Sequence, residues 1–521
     1  MAIAASRADC IGVLDLEYTT DKKAALAAIK KLAKDAGHGF GIKLDSRSDE
    51  FWLEVIRDMP EELSLVILTN SSEHLLMNQV KMFQRKGLSV FLEATCLAEA
   101  WIGEQCGVDG IIAKGYETGG RQGKETSFVL LQHLLANLKL PVWAHGGVGR
   151  HTSAACYAAG AAGIVLDTQL ALCQESPLPD SVKEEISILD GSETIRIGDE
   201  IGKAYRVFAV PGLQVIDELL EEEKNLVMQN RSYTKNAELW QEAVLKRVGW
   251  ESMEENLLFL GQDVALAAPL ARRYGTVGNV LQGIKKEVDD HCRSAREQYS
   301  LDEKAALIRS KDTQCPDIWE PASGIGDMSA FALEVAEKGG LPFLSLPLMT
   351  PSELKGFLNE ARHIMGRNPW GVGIIGFLPP ALLRQQIDII CEYHPPYAFI
   401  AGGMPNQHKP LKDAGIITYT HVASPGRLRM YLDSGDRRFI FEGQESDGHV
   451  GPYTSFLLWE RMIDELLEYL TPGKNSSEYH VLFAGGIHEA MSAKMVAVMA
   501  APLVERGVRV GVLPSLRIEM K

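Results

Sequence analysis

The strongest constraint on this chain is a repeated pair of glycine-rich junctions. In the stretch Phe439-Ile-Phe-Glu-Gly-Gln-Glu-Ser-Asp-Gly-His-Val-Gly-Pro452, a short apolar run over 438–441 stops at Glu442-Gly443. It opens into a loop holding Gly443, Gly448 and Gly451 together with Glu445 and His449. An apolar stretch over 455–470 then predicts a helix. A second junction follows, Val481-Leu-Phe-Ala-Gly-Gly-Ile-His488. Both junctions also occur earlier, as Gly110-Ile-Ile-Ala-Lys-Gly-Tyr-Glu-Thr-Gly-Gly-Arg-Gln-Gly123 and Pro141-Val-Trp-Ala-His-Gly-Gly-Val-Gly149. Glu117 aligns with Glu445, Gly120 with Gly448, Gly123 with Gly451, and Gly146-Gly147 with Gly485-Gly486; Arg121 stands where the later copy has His449. Repetition with order and spacing kept implies a duplicated domain. Strand, glycine loop, helix is the junction at which α/β proteins place their chemistry.

Around these junctions strand and helix signals alternate. The first copy reads as seven strands (11–16, 39–44, 63–68, 88–94, 110–113, 141–144, 163–166) separated by helices that include 22–34, 48–57, 73–86 and 126–137. The second reads as eight, at 317–319, 341–346, 371–375, 397–400, 416–422, 438–441, 479–483 and 508–512. Short strands apolar on both faces, joined by helical crossovers, predict parallel sheets covered on both sides. The expected fold is α/β: two tandem (β/α)8 TIM-type barrels, the first lacking its first strand. Residues 1–200 form the first barrel, 201–312 an extended and then helical connector, and 313–521 a second barrel truncated after its eighth strand.

Composition narrows the function classes. A formal charge of −16 argues against a basic nucleic-acid face and against anionic membrane surfaces. No apolar run reaches the roughly 18 residues of a membrane helix, and no secretion signal opens the chain. Eight cysteines without Cys-x-x-Cys spacing read as reduced thiols, so a cytoplasmic location is expected. No His/Cys/Asp/Glu set has metal-ligand spacing, and there is no Ser/His/Asp elbow.

Gly443-Gln-Glu-Ser-Asp-Gly-His-Val-Gly451 resembles the Gly-x-Glu-Ala-Gly-Gly-His-x-Gly signature of the nitronate monooxygenase (2-nitropropane dioxygenase) family. Ala484-Gly-Gly-Ile487 and Ala144-His-Gly-Gly-Val148 resemble its phosphate-binding turn, and Ala161-Ala-Gly-Ile-Val-Leu-Asp-Thr168 its last strand. The tandem arrangement, with Ala401-Gly-Gly-Met-Pro405, looks like domains attached to bacterial polyketide synthases. The resemblance implies FMN-dependent barrels that oxidise nitronates or reduce enoyl thioesters. It also implies a small-molecule or acyl-thioester substrate and, as partners, polyketide synthase modules or an acyl carrier protein. The chain departs from the pattern at Arg121, at Trp319-Glu-Pro-Ala-Ser323 and at Gly511-Val-Leu-Pro514, so it looks like a piece of a longer tandem protein.

His449 is the candidate catalytic residue, since imidazole moves protons near neutral pH; the alternative is a loop histidine bonded to backbone. Gly146, Gly147, Gly485 and Gly486 are the candidate phosphate turns, or else tight turns without a ligand. Thr168, Gly402, Gly403 and Gly448 complete the cofactor-binding candidates. Arg121 cannot act as a base; it either binds an anionic group or simply pairs with Glu117 or Glu125, and the structural role is the one expected. Glu117 and Glu445 are expected to orient their loops or cap the next helix. His145, His421 and His488 read as packing or supporting residues. The competing reading of the whole chain is a degenerate, non-catalytic barrel pair that docks on a synthase.

Overall fold

A computed structural model of the chain describes all residues except 20, 38, 46–56, 58, 70–72, 230–231, 300–318, 323–331, 334–335, 338–340, 347–348, 447–450, 471–474 and 514–521. The helix expected over 48–57 lies outside the described residues except for Arg57, as do His449 and Gly448. The chain divides into two compact units, Met1–Asp289 and Asp290–Lys521.

The first unit holds a seven-stranded parallel sheet of β1 (Gly12–Asp15), β2 (Phe40–Asp45), β3 (Leu63–Thr69), β4 (Ser89–Ala94), β5 (Gly110–Lys114), β7 (Val142–His145) and β8 (Gly163–Val165), adjacent in that order. A separate antiparallel sheet joins β6 (Gly120–Arg121), β10 (Tyr205–Phe208) and β9 (Thr194–Ile197), with β10 in the middle. The second unit holds eight parallel strands in sequence order. They are β11 (Trp319–Ala322), β12 (Leu341–Ser345), β13 (Gly371–Ile375), β14 (Tyr397–Ala401), β15 (Ile417–Val422), β16 (Arg438–Glu442), β17 (His480–Ala484) and β18 (Arg509–Leu513). Together with the helical crossovers these are two tandem barrels of the (β/α)8 type, the first without a counterpart of β11.

Residues 201–289, which the sequence separates as a connector, fall within the first unit. The reason is pairing and packing. β10 hydrogen-bonds to the β5-side loop through β6, and Trp240, Leu257, Leu260 and Val264 share one buried cluster with Tyr205 and Val207. Within this stretch Gln214–Met228 and Tyr233–Leu245 are helices, with Val215, Leu219 and Leu226 of the first turned inward. In the second unit two helices follow β17, Ala490–Met499 and Ala501–Glu505; Pro502, which has no N–H to donate, sits in the first turn of the second.

Strand alternation decides what reaches each barrel mouth. Side chains two residues apart share a face. In the first barrel Val13, Ile67, Phe91, Ile112, Trp143 and Val165 form one interior apolar layer. Two residues further toward each strand's carboxyl end stand Asp15, Thr69, Glu93, Lys114, His145 and Asp167. In the second barrel Phe343, Phe399, Tyr419, Ile440 and Leu482 form the corresponding layer. Two residues on stand Ser345, Ala401, His421, Glu442 and Ala484.

Candidate functional site

The two junctions share the same acid–serine contact. In the first copy Glu117 Oε2 accepts hydrogen bonds from Ser127 N–H (2.9 Å) and Oγ–H (2.6 Å). In the second, Glu445 Oε2 accepts from Ser455 N–H (2.8 Å) and Oγ–H (2.6 Å). Each acid therefore satisfies a free N–H at the start of the following helix, as an N-terminal cap does. The glycine of the next junction packs against the same serine. A Cβ on Gly146 would lie 2.6 Å from Ser127 Oγ, and one on Gly485 2.5 Å from Ser455 Oγ, with φ of +114° and +115°. Both the backbone conformation and the close approach require glycine there. Gly147 and Gly486 follow at φ +61° and +70°.

The mouths differ in chemistry. In the first, register places Lys43 opposite Asp15 and Lys114 opposite His145. Lys43 Nζ lies 2.8 Å from Glu17 Oε2, 3.0 Å from Glu93 Oε2 and 3.6 Å from Asp15 Oδ2. Lys114 Nζ lies 3.3 Å from Glu93 Oε1. Glu17, Lys43, Glu93, Lys114, Arg121 and His145 are all buried. Burial by itself would raise the Glu93 carboxyl, but Lys114, Lys43 and Arg121 outweigh it and hold it far below the usual range. Burial would likewise lower Lys43; Asp15, Glu17 and Glu93 instead hold it well above the ordinary lysine value.

Arg121 does not pair with Glu117 or Glu125. Its Nη1 donates to Glu99 Oε1 at 2.9 Å and its Nη2 to the Glu93 carbonyl at 2.9 Å. Glu117 is taken by Ser127, and Glu125 lies 2.6 Å from His133 Nδ1. At the end of the sheet His145 Nε2 sits 3.0 Å from Asp167 Oδ2. Asp167 is partly exposed; its partial desolvation would raise it, but that histidine outweighs this and holds it well below the usual carboxyl range. Thr168, the next residue, is buried at the start of a 3-10 turn, its N–H bonded to Asp167 Oδ1 at 2.5 Å. Asp263, from the stretch read as connector, is fully buried and neither carboxyl oxygen has a hydrogen-bond partner. Burial, then the charges of Asp167 and Glu117, push its carboxyl well above the normal range.

At the strand ends of the second mouth Ser345, Ile375, Ala401, Ala484 and Leu513 are small or apolar, and His421 and Glu442 stand where the first has Glu93 and Lys114. Phe377 and Met404, just beyond β13 and β14, are 55% and 52% exposed. Gly402 and Gly403 follow β14 directly, and the Gly403 carbonyl accepts the Tyr431 hydroxyl. Beside Gly485-Gly486, His488 Nδ1 lies 3.2 Å from the Gly486 carbonyl. Glu489 is turned back on its own helix as a capping box. His421 Nε2 and Glu442 Oε2 are 3.1 Å apart. Burial raises Glu442 to about 7, against a hydrogen bond from Ser446, and burial with Arg427 lowers His421 to about 4. Near neutral pH this pair is an uncharged imidazole beside a carboxyl that gains and loses its proton.

Among known families, the nitronate monooxygenase profile matches residues 13–280, which is 268 of the 521 residues. The chain belongs to the nitronate monooxygenase family. It is 44% identical over 81 residues (15% of this chain) to (3aS,4S,5R,7aS)-5-hydroxy-7a-methyl-1-oxo-octahydro-1H-indene-4-carboxyl-CoA dehydrogenase of Rhodococcus jostii. It is 32% identical over 120 residues (21% of this chain) to nitronate monooxygenase of Pseudomonas aeruginosa. The matched stretches span only 23% and 34% of those two relatives. The solved structure of FabK from Thermotoga maritima is 23% identical, covering 57% of this chain and 90% of that one with a TM-score of 0.49. The family match extends through 280 and so takes in the connector residues that pack on the first barrel.

Sequence reasoning singled out the glycines and passed over Lys43, Glu93, Lys114, Asp263 and Glu442. For all but Asp263 a signal was present: each is a charged residue at or next to the carboxyl end of an otherwise apolar strand.

Proposed function

We propose that this chain is an FMN-dependent oxidoreductase of the nitronate monooxygenase type, with its cofactor at the mouth of the second barrel. The observation that carries the proposal is the layer at the strand ends, in which small or apolar Ser345, Ile375, Ala401 and Ala484 stand beside the polar pair His421 and Glu442, with Phe377 and Met404 exposed just beyond. A flat, largely apolar ring fits such a floor. The Gly485-Gly486 turn, which opens toward a helix and has His488 beside it, suits the phosphate. The isoalloxazine would supply the hydride or electron chemistry, and the protein supplies position and protons. Glu442, paired with His421, is suited to exchange a proton with a substrate at the mouth. His449 remains the candidate from the signature loop.

Two reactions fit: oxidation of a nitronate and reduction of an enoyl thioester. The carboxyl-CoA relative favours a thioester, and an acyl carrier protein or polyketide synthase module is the corresponding partner. The test uses the whole 521-residue chain loaded with FMN, without oxygen. Bleaching of the visible flavin band by an alkyl nitronate supports the first reaction. Return of that band when an enoyl thioester is added to dithionite-reduced protein supports the second. A bound flavin that responds to neither class removes the proposal. The scaffold reading is favoured by one observation only, the buried ion network that fills the first mouth.

A further inference from the structure

We infer that the first barrel is closed to flavin, so that the chain carries a single flavin site, in the second barrel; this rests on the flavin reading above. Three independent features of the first unit point the same way.

The first is a cap. Residues of β9 and β10 fasten the loop that in the second copy bears the family signature. Gly120-Arg121 pair with Arg206 and Tyr205, and Gln122 N–H donates to the Ala204 carbonyl at 3.0 Å. Arg206 Nε donates to the Tyr116 carbonyl at 3.0 Å, with its guanidinium 4.2 Å above the Tyr116 ring. On the other side, the segment around 259–263 packs backbone to backbone against the same loop. A Cβ on Gly119 would lie 2.2 Å from the Phe259 carbonyl oxygen, and one on Gly261 2.1 Å from that of Glu117. The loop is held along its length and has no slack with which to open over a ring.

The second feature is what occupies the floor. Lys43, Lys114 and Arg121 are each matched to Glu17, Glu93 or Glu99 by contacts of 2.8–3.3 Å. Lys43 is 8% exposed, and Glu93 and Lys114 are 2% exposed. Inserting a ring would separate buried ion pairs, which leaves charges without partners.

The third is the sign of the charge at the Gly146-Gly147 turn. Besides His145, the groups close to it are acids: Asp167 on that histidine, Glu117 on Ser127, and Asp263, whose ionisation is resisted first by burial and then by the charges of Asp167 and Glu117. A phosphate dianion would add like charge to that set. Beside the second copy's turn stands His488, with Glu445 in the place of Glu117.

Two measurements on the full chain test this. The protein is loaded with excess FMN and freed of unbound cofactor, and flavin released by acid is counted against protein. One flavin per chain is expected, lost in Gly486→Asp and kept in Gly147→Asp, with circular dichroism showing both variants folded. Two flavins per chain, or loss on Gly147→Asp with retention on Gly486→Asp, overturns the inference. The second measurement does not depend on flavin. Native protein is acetylated briefly and its lysines are mapped by mass spectrometry. Lys43 and Lys114 should react about tenfold or more slowly than exposed Lys235 and Lys246. Protection in a chain that binds no flavin removes the flavin reading and leaves the closed mouth standing. Acetylation at surface rates overturns the closure.

Discussion

Removing one cation from the first mouth should cost far more than removing an exposed one. Lys43→Met leaves Glu17, 3% exposed, and Glu93, 2% exposed, without the ammonium that lies 2.8 and 3.0 Å from them. Breaking a buried ion pair by deleting one partner costs about 3–5 kcal/mol, because the remaining charge stays desolvated. A domain of 150–250 residues loses roughly 2–4 °C of melting temperature per kcal/mol, so a unit as large as this one should melt about 6–10 °C lower. The assay is differential scanning calorimetry of the full chain, following the transition of the first unit. Lys235→Met, at an exposed pair, is the control and should leave the transition where it was. Adding Glu93→Gln to Lys43→Met should cost less than the two single changes summed, since neighbours in one network are coupled by about 0.5–3 kcal/mol. The pH dependence has a fixed sign. Glu93 is depressed in the fold, so its contribution is present above its unfolded pKa, about 4.3, and is lost as pH falls below that value. If Lys43→Met shifts the transition no more than Lys235→Met, or if the double variant is additive, the network is not holding the mouth together.

Three further outcomes follow from the same geometry. Asp263→Asn should stabilise the first unit at pH 8 and do so less at pH 4. The raised Asp263 carboxyl contributes stability below its unfolded pKa that is lost as pH rises, and urea melts at the two pH values check this. Gly485→Ala should cost about 1–3 kcal/mol through its positive φ and the 2.5 Å approach to Ser455 Oγ; Ser455→Ala in the same chain should recover only the contact part, by urea denaturation. Glu442 should titrate near 7, as a carboxyl infrared band that is absent in Glu442→Gln, and Glu442→Gln should gain stability on the parent as pH rises through that value. A midpoint near the ordinary glutamate value of about 4.3 would refute the account of its burial.

The fold was legible because glycine junctions and apolar runs are local signals. The strand expected over 371–375 is β13 residue for residue, and the other described strands shift by a residue or two, except β11, whose end lies three residues beyond the expected one. Glu117 and Glu445 were legible for the same reason, since each caps a helix ten residues or fewer away. The partner of Arg121 was not. Glu99 lies on a different crossover helix, and only the pairing of Gly120-Arg121 with β10 turns the guanidinium toward it. Asp263 was invisible for a similar reason, because a helical-looking segment gives no sign that it returns to cover a barrel mouth 100 or more residues earlier. The difference between the two mouths was readable in principle. It lies in the last residues of β2, β4 and β5 compared with those of β13, β15 and β16, once strand parity is followed to the carboxyl end.

The central claim is that this chain binds FMN in its second barrel. The most direct measurement is the visible absorption spectrum of the whole 521-residue chain after incubation with FMN and gel filtration, with Gly486→Asp alongside. The account predicts a flavin band that travels with the parent protein and is absent from the variant. A colourless parent, or a variant that keeps the full band, would contradict it.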